Sequence, residues 1–375
     1  MGTLPKVAVI GRGLMGSAAA KYLARAGLEP TVIGPEEPKV KSDHRGVFGS
    51  HYDEGRITRK NATDPYWAEA SIASIARYAE IERASGIRFF SPVGALMAGE
   101  DSGPFLGQAR EVAAEFRVDC EDHNRDGLAH QIPSLNLPEG WSALWERSDS
   151  GHLSPRRLVE AQTKIADASG AKFVSAPAAG IEEASSEVSV LVGEEARAFD
   201  FVLVAAGGMT DHVLGREPKY RVCGRTVTFF ELSESEAEAH SNLPSLVMGT
   251  DEGHYLLPPI RYPDGKVYMK LGGDPDDLIL ISPEEIGNWF RTGGRETARE
   301  HQEAWFRSLF PDVSVESIST AACMTTWTND LRPEICSLSE RVHVVSAGNG
   351  AGAKCSDELG RRGAALITEL LEKEL

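Results

Sequence analysis

Three glycines near the start of the chain have the spacing of a phosphate-binding turn. Gly11, Gly13 and Gly16 form the pattern G-x-G-x-x-G, with Leu14 and Met15 between the last two glycines. The first glycine permits a tight turn, the second lets the backbone approach a pyrophosphate, and the third allows a helix to pack closely on a strand. The phosphates would bind the free N–H groups at the N-terminus of that helix, where the helix dipole favours negative charge.

The elements on either side of these glycines suit this chemistry. Residues 7–10, VAVI, form an apolar run typical of a buried parallel strand, and Ala18, Tyr22, Leu23 and Ala26 have the spacing of a helix. An isolated G-x-G-x-x-G is weak evidence, because loops collect glycines by chance. Its position between a strand and a helix favours dinucleotide binding over a purely structural turn.

The composition is that of an ordinary globular protein with an acidic surface. The 375 residues are enough for about two domains, and 41% of them are hydrophobic and 25% charged. The formal net charge of −17 argues against nucleic acid and against an anionic membrane as partners. It does not argue against a small anionic substrate, because a local basic pocket outweighs a distant, screened average.

The sequence contains no pattern typical of a membrane span, a signal peptide or a metal site. No apolar stretch approaches the roughly 20 residues that cross a bilayer. The first predicted strand starts at residue 7, which leaves no room for a signal peptide, so we expect a cytoplasmic protein. The five cysteines are scattered and form neither a C-x-x-C pair nor a disulfide framework, and we predict no metal site.

The remaining pattern predicts an α/β fold, α+β overall. We expect helices over 65–84 (with Asp64 as N-cap), 154–170, 284–309 and 356–373. We expect strands at 29–33, 89–90, 94–97, 173–174, 187–192, 201–208, 226–230, 255–258, 267–271 and 342–346. The buried strands at 7–10, 201–208 and 342–346 lie far apart in the chain.

This spacing predicts a Rossmann-like dinucleotide domain built from the discontinuous segments 1–85, 150–220 and 320–375. An antiparallel-sheet substrate domain would comprise 86–149 and 221–319. Such an interrupted arrangement is more typical of flavoproteins than of nicotinamide-dependent dehydrogenases.

Five segments together resemble the D-amino-acid-oxidase superfamily of FAD enzymes. They are VAVIGRGLMG at 7–16, SHYDEGRITR at 50–59, VYMKLGG at 267–273, AACMTTWTND at 321–330 and SAGNGAGAKCSDELG at 346–360. Their order and spacing are most similar to the sarcosine-oxidase branch, which contains monomeric sarcosine oxidase and N-methyl amino acid oxidases. The resemblance covers nearly the whole chain.

The resemblance implies that FAD is the cofactor. The residues implied to bind it are Gly11, Gly13, Leu14, Met15, Gly16, Glu36, Ser50, Arg56, Cys323, Gly348, Gly350, Gly352 and Lys354. In this branch the cysteine that matches Cys323 carries the flavin through a thioether at the 8α carbon. Relatives outside the branch bind FAD without this bond, and by composition alone Cys323 is a small buried core residue.

Three residues are implied to act in catalysis: Lys270, Arg56 and Tyr255. Lys270 would lie near the flavin N5, where a fixed positive charge stabilises superoxide as it forms. The alternative for Lys270 is a charged residue that protects an edge strand from aggregation. Arg56 would lie at the flavin face, and Tyr255 would line the pocket as a hydrogen-bond donor.

Arg59 and Lys354 are implied to hold a carboxylate of the substrate. Arginine suits this role because its planar fork can donate two hydrogen bonds to one carboxylate. For an R-x-x-R pair alone, two solvent-exposed arginines would be the better interpretation. The substrate site is further implied to include Tyr255, Asp274 and Trp327.

Several positions depart from the family pattern. The acid that usually binds the adenosine ribose is replaced by Gly34; Glu36 or Glu37 could substitute, and the loss would also suit the 2′-phosphate of NADP. Asp274 stands where relatives have a histidine near the substrate amine, which would favour a more cationic or larger amine. Trp327 and Asn329 also differ from the relatives, so the identity of the amine stays open.

The function implied is an FAD-dependent oxidase of a secondary or N-alkylated amine that bears a carboxylate, such as an N-methyl, cyclic or glycated amino acid. Hydride transfer to the flavin would give an imine that hydrolyses in water, while O2 is reduced to H2O2. The alternatives are an FAD dehydrogenase of hydroxy or amino acids with another acceptor, a non-catalytic FAD-containing subunit, and an NADP-dependent dehydrogenase. We expect a monomer or small homo-oligomer.

Overall fold

Residues 4–373 of the chain are described by a computed structural model. Within this range a six-stranded sheet and a nine-stranded sheet form the framework. The six-stranded sheet has the order Glu334–Ser337, Val342–Ser346, Phe201–Val204, Val7–Ile10, Thr31–Ile33, Lys172–Val174. All neighbouring strands in it are parallel except the edge strand Glu334–Ser337.

The six-stranded sheet confirms the predicted α/β fold with a Rossmann-like core. The apolar run Val7–Ile10 is buried along its whole length and lies between Phe201–Val204 and Thr31–Ile33. Helices cover one face of this sheet, where Leu23, Leu203 and Leu359 meet in one apolar cluster. A three-stranded antiparallel sheet, Ala178–Glu183, Val188–Val192 and Glu195–Phe199, covers the other.

The nine-stranded sheet is mostly antiparallel, as the sequence predicted. Eight of its strands have the order Leu278–Ile279, Arg221–Leu232, Val267–Gly272, Tyr255–Arg261, Ser245–Met248, Ala95–Glu100, Trp141–Glu146, Glu121–Asn124. The ninth, Ser317–Trp327, pairs with Arg221–Leu232. One pair is parallel, Ser245–Met248 with Ala95–Glu100.

The helices within residues 4–373 are Leu14–Arg25, Pro65–Ser85, Pro104–Phe116, Arg125–Gln131, Pro155–Ala168, Thr210–Val213, Glu234–Ala239, Pro283–Arg291, Glu296–Leu309 and Gly352–Lys373. A small sheet joins Arg56–Thr58, Gly151–Leu153 and Phe90–Ser91. None of the helices in this range combines the length and the apolar character that crossing a bilayer requires.

Most predicted elements are present, with two differences that bear on the site. The helix predicted over 65–84 is Pro65–Ser85, and Asp64 caps it by accepting a hydrogen bond from the Tyr66 N–H. The last helix begins at Gly352 rather than at 356, so Lys354 lies in its first turn. The strand predicted over 201–208 ends at Val204, before a 3-10 turn at Gly207–Met209.

The predicted domain boundary at residue 320 falls inside the strand Ser317–Trp327. That strand belongs to the nine-stranded sheet, because it pairs along its whole length with Arg221–Leu232. Gly13 and Gly348 lie in the loops that follow the parallel strands Val7–Ile10 and Val342–Ser346 of the six-stranded sheet. Both glycines line the same cavity as Cys323, which belongs to the strand Ser317–Trp327. The residues that matter for function therefore lie where the two sheets approach each other.

Candidate active site

A cavity of about 870 Å³ brings together residues from all five sequence motifs. Its volume is in the range of cavities that bind cofactors and drug-sized ligands, roughly 300–1,000 Å³. The predicted site residues that line it are Gly11, Gly13, Leu14, Met15, Ser50, Arg56, Arg59, Tyr255, Asp274, Cys323, Trp327, Gly348, Gly350, Gly352 and Lys354. Gly16, Glu36 and Lys270 do not appear in this wall within the described residues.

The glycine-rich turn has the geometry of an anion site. Gly11 has a φ of +111°, and a Cβ there would collide with the Ala205 carbonyl, so only glycine fits. Gly13 is the N-cap of the helix Leu14–Arg25 and has no side-chain cap, which leaves the first N–H groups of the helix directed at the cavity. Gly16 lies behind the wall, where it lets the helix approach the Gly11 carbonyl.

The acid expected at the adenosine end does not reach the cavity. A Cβ at Gly34 would lie 2.8 Å from the Arg12 backbone nitrogen, so this close approach requires glycine. Glu36 is exposed, and its carboxylate accepts hydrogen bonds from Arg12 at 3.2 Å and Ser175 at 2.8 Å. Glu37 is bound to Arg156. Glu36 therefore lies outside the cavity wall within the described residues, and its contact with the cofactor stays a prediction.

Arg56 and Cys323 meet at the cavity wall. The Arg56 Nη2 lies 3.4 Å from the Cys323 Sγ, although the two residues are 267 positions apart. Cys323 is held in the strand Ser317–Trp327, and its carbonyl accepts a hydrogen bond of 2.7 Å from the Trp289 indole. The thiol therefore lies at the cavity wall beside the Arg56 guanidinium. Covalent attachment of a flavin at Cys323 would require a thiol that faces the cavity.

Arg59 and Lys354 place two cations with unsatisfied donors on the cavity wall. The Lys354 Nζ and the Arg59 Nε are buried and have no hydrogen-bond partner within residues 4–373. Burial, helped by the neighbouring Arg59, lowers the pKa of Lys354 to about 8. The Tyr78 hydroxyl donates to the Lys354 carbonyl at 3.0 Å and so fixes the first turn of the helix. An anion bound from outside the chain would satisfy both donors.

Tyr255 enters the cavity because its neighbour is glycine. Tyr255 is paired with Gly272 across two strands, and a Cβ at Gly272 would overlap the tyrosine ring. Burial raises the pKa of Tyr255 to about 12, so its hydroxyl stays a donor at neutral pH. Trp327 faces Gly350, at which an added Cβ would lie 3.2 Å from the indole.

Lys270 does not line the cavity within the described residues, and its place near the flavin N5 stays a prediction. Its side chain is fully buried behind the wall, and Nζ donates to Asp53 at 2.6 Å and to the Gly55 carbonyl at 2.5 Å. Burial, helped by the neighbouring Arg56, lowers the pKa of Lys270. Asp53 also accepts hydrogen bonds from Arg56 and, at 2.8 Å, from Tyr262. Lys270 can act on the cavity only at a distance or after moving.

Asp274 lines the cavity, but its carboxylate is already used. It accepts a hydrogen bond from the Thr226 N–H at 3.0 Å and forms an ion pair with Arg295. Arg295 therefore balances its charge, and the expectation that Asp274 favours a more cationic or larger amine stays a prediction.

No role was predicted from the sequence for Asp53 or for Glu252. Of these two residues, Glu252 lines the cavity. Asp53 lay within the SHYDEGRITR motif, so that signal was available, whereas nothing in the sequence singled out Glu252.

The site fits FAD on its own geometry. A helix N-terminus suits a pyrophosphate, and Gly348 and Gly350 let a loop approach a planar ring, because both residues lie in the wall without side chains. Cys323 lines the same cavity. The N–H groups, the guanidinium of Arg56 and the cation of Lys354 together favour a polyanionic cofactor and an anionic substrate.

Comparisons with known proteins agree with this interpretation. A family model described as FAD dependent oxidoreductase matches residues 6–366. Monomeric sarcosine oxidase of Arthrobacter sp. (strain TE1826) is 24% identical over 94% of this chain and 90% of that protein. N-methyl-L-tryptophan oxidase of Yersinia pestis (strain Pestoides F) is 23% identical over 94% of this chain and 92% of that protein. The solved structure of NikD, described as an unusual amino acid oxidase essential for nikkomycin biosynthesis, shares the fold with a TM-score of 0.78 at 17% identity, over 97% of this chain and 94% of that chain.

Proposed function

We propose that this chain, which belongs to the family of FAD-dependent oxidoreductases, is an oxidase of amino acids whose amine carries an N-substituent. The names of two curated relatives, sarcosine oxidase and N-methyl-L-tryptophan oxidase, support this substrate class. One observation on this chain carries the proposal: Arg59 and Lys354 present buried cationic donors to the cavity without a partner within residues 4–373.

The pair of cations explains why the substrate should carry a carboxylate. Arg59 can donate two hydrogen bonds to one carboxylate, and the Lys354 ammonium can add a third. Leaving both donors unsatisfied in a buried site is unfavourable, and a carboxylate removes that cost. Burial lowers the pKa of Arg59, and the nearby Glu146 carboxylate partly opposes that shift. The Glu146 oxygens, however, already accept hydrogen bonds from the N–H groups of Lys60 and Asn61. It therefore does not replace a bound anion.

Anchoring the carboxylate fixes the rest of the substrate relative to the cavity wall. Tyr255 and Trp327 form apolar surfaces beside it, and the Tyr255 hydroxyl can donate a hydrogen bond. FAD, when bound, supplies a two-electron acceptor for oxidation of the amine to an imine. The five sequence motifs offer no evident general base, so the substrate would react as its neutral amine. Positioning would then supply most of the rate acceleration.

A second candidate function is an FAD dehydrogenase that passes electrons to an acceptor other than O2. The position of Lys270 favours it: the cation expected to promote the reaction with O2 is bound to Asp53 behind the wall. The two candidates share the same reductive half-reaction and differ only in the oxidant.

A two-part experiment tests the proposal. Purified protein with its flavin is mixed anaerobically with N-methyl amino acids, cyclic imino acids and glycated amino acids, and bleaching of the flavin is followed. Air is then admitted, and peroxide is measured. Bleaching by an N-substituted amino acid followed by stoichiometric peroxide supports the oxidase; bleaching with slow reoxidation and little peroxide supports the dehydrogenase. A bound flavin that none of these compounds bleaches would overturn both.

A further inference from the structure

Three potential metal ligands lie together beside the cavity: Glu252, His254 and His301. One ligating atom from each lies within 4.8 Å of the other two. The Nε2 atoms of His254 and His301 face each other at 3.1 Å. The Glu252 carboxylate lies 3.9 Å from the His301 Nε2 and 3.7 Å from the His254 Nδ1. Glu252 and His254 lie in one loop, whereas His301 is 47 positions beyond His254 in the helix Glu296–Leu309, which is why no sequence spacing revealed the cluster.

The two imidazoles already have the separation that a tetrahedral ion needs. Zn²⁺ binds imidazole nitrogen at about 2.0–2.1 Å, so two such nitrogens on one tetrahedral ion lie about 3.3 Å apart. Their 3.1 Å separation requires little movement. Glu252 is 29% exposed on a loop, and its carboxylate lies 3.9 Å from the His301 Nε2, so rotation of this side chain can bring an oxygen toward an ion held by the two imidazoles.

The surrounding residues hold His254 in a ligand-like orientation. The Thr250 hydroxyl lies 2.8 Å from the His254 Nδ1, which leaves Nε2 to face His301. A hydrogen bond on the outer ring nitrogen is the usual way that proteins orient a ligating histidine. The His254 ring is fully buried and packs on Trp305 with ring centroids 4.7 Å apart. His301 is presented by the helix Glu296–Leu309.

We propose that Glu252, His254 and His301 bind a divalent transition-metal ion of the zinc class, with a fourth position open to water. Two imidazoles and one carboxylate suit Zn²⁺, whereas Mg²⁺ and Ca²⁺ prefer oxygen ligands alone. The ion would join the loop after Ser245–Met248 to the helix Glu296–Leu309. Because Glu252 lines the large cavity, the ion would lie at the cavity wall, separate from the residues assigned to the flavin. The alternative is a hydrogen bond between two neutral imidazoles with no ion.

The test uses the flavin-loaded protein after treatment with EDTA and gel filtration. Zn²⁺ binding is measured by calorimetry and by metal analysis after equilibrium dialysis, and thermal unfolding is recorded with and without Zn²⁺. His301→Ala and Glu252→Gln are the main variants, because both side chains are partly exposed (30% and 29%) and their replacement should leave the fold intact. His240→Ala is the matched control, since His240 has a glutamate 3.7 Å away but no second imidazole there.

We expect one Zn²⁺ per chain in the wild type and in His240→Ala, with a higher unfolding temperature when the ion is present. His301→Ala should weaken binding by about a hundredfold or more and lose the temperature shift. Thr250→Val, which removes the partner of the outer ring nitrogen and the acceptor of the His254 backbone N–H, should weaken binding by about 10- to 100-fold. The proposal is overturned if the wild type shows no saturable binding at micromolar Zn²⁺, or if His301→Ala and Glu252→Gln bind as the wild type does.

Discussion

Replacement of Lys354 tests the proposed carboxylate anchor. Lys354 is buried in the first turn of the helix Gly352–Lys373, and its ammonium has no partner within the described residues. In Lys354→Met an uncharged side chain of similar length replaces the lysine side chain. The apolar packing of the helix should therefore be kept while the interaction with the substrate is lost.

The expected size of the effect follows from the type of bond. A hydrogen bond to a charged group contributes about 1.5–3 kcal/mol, which corresponds to roughly a 10- to 150-fold increase in KM. Lys354→Arg should restore much of the affinity, because it keeps the positive charge. Lys172→Met is a suitable control, since the Lys172 side chain is 68% exposed and far from the cavity wall.

The pH dependence gives a sharper test than a single KM. The pKa of Lys354 is lowered to about 8 by burial and by Arg59, so the side chain is charged below that pH and neutral above it. Binding a carboxylate requires the charged form, and each pH unit above 8 lowers the protonated fraction about tenfold. kcat/KM reports the free enzyme. Its ratio between wild type and Lys354→Met should therefore be large near pH 7 and fall toward one above pH 9.

The ratio removes the titration of the substrate amine, which is the same for both proteins. Lys354→Arg should show no such fall, because arginine stays charged throughout this range. The reasoning would be refuted by a Lys354→Met variant whose KM stays within twofold of the wild type. It would equally be refuted by a ratio that does not change between pH 7 and pH 9.

Three further predictions follow from the cavity wall. Cys323→Ser should release the flavin into the supernatant after acid precipitation, whereas the wild type should keep its colour in the pellet, if Cys323 forms the thioether. Lys270→Met should slow reoxidation of the reduced flavin by O2 by about 100-fold or more, measured by stopped flow, while leaving anaerobic bleaching by substrate intact. Gly272→Ala should displace the Tyr255 ring, destabilise the fold by about 1–3 kcal/mol in chemical denaturation and raise KM.

Each of these has a contradicting result. Colour in the wild-type supernatant would show that Cys323 is a packing residue. An unchanged reoxidation rate in Lys270→Met would mean that the ion pair with Asp53 isolates this lysine from the oxygen reaction, which favours the dehydrogenase. Wild-type stability in Gly272→Ala would mean that Tyr255 can leave its position without cost.

The sequence predicted the core of the fold because its strongest local patterns occur at residues whose local geometry determines the fold. The apolar run at Val7–Ile10, the glycines after it and the cap at Asp64 each specify a local geometry that the tertiary structure keeps. The start of the last helix was placed four residues late. Gly352, like Gly348 and Gly350 before it, has low helix propensity, but packing against Leu14–Arg25 outweighs it.

The site was predicted less completely because its contacts are long-range. Alternation along a strand places Lys270 on one face, but it cannot reveal that Asp53, 217 positions away, binds its ammonium. Arg295 neutralises Asp274 in the same way. Glu36 had the right charge, yet Arg12 and Ser175 bind it outside the cavity. In each case a partner distant in the chain decides whether a charged residue is available for chemistry.

The most direct measurement of the central claim compares two ligands that differ only in the carboxylate. The N-substituted amino acid that bleaches the flavin best is titrated anaerobically into the wild-type protein, beside the same amine in which a carboxamide replaces the acid. If Arg59 and Lys354 anchor the substrate, the acid should reduce the flavin at concentrations at least about tenfold lower than the carboxamide, from the loss of charge-assisted hydrogen bonds. Equal titration curves for the two compounds would contradict the account.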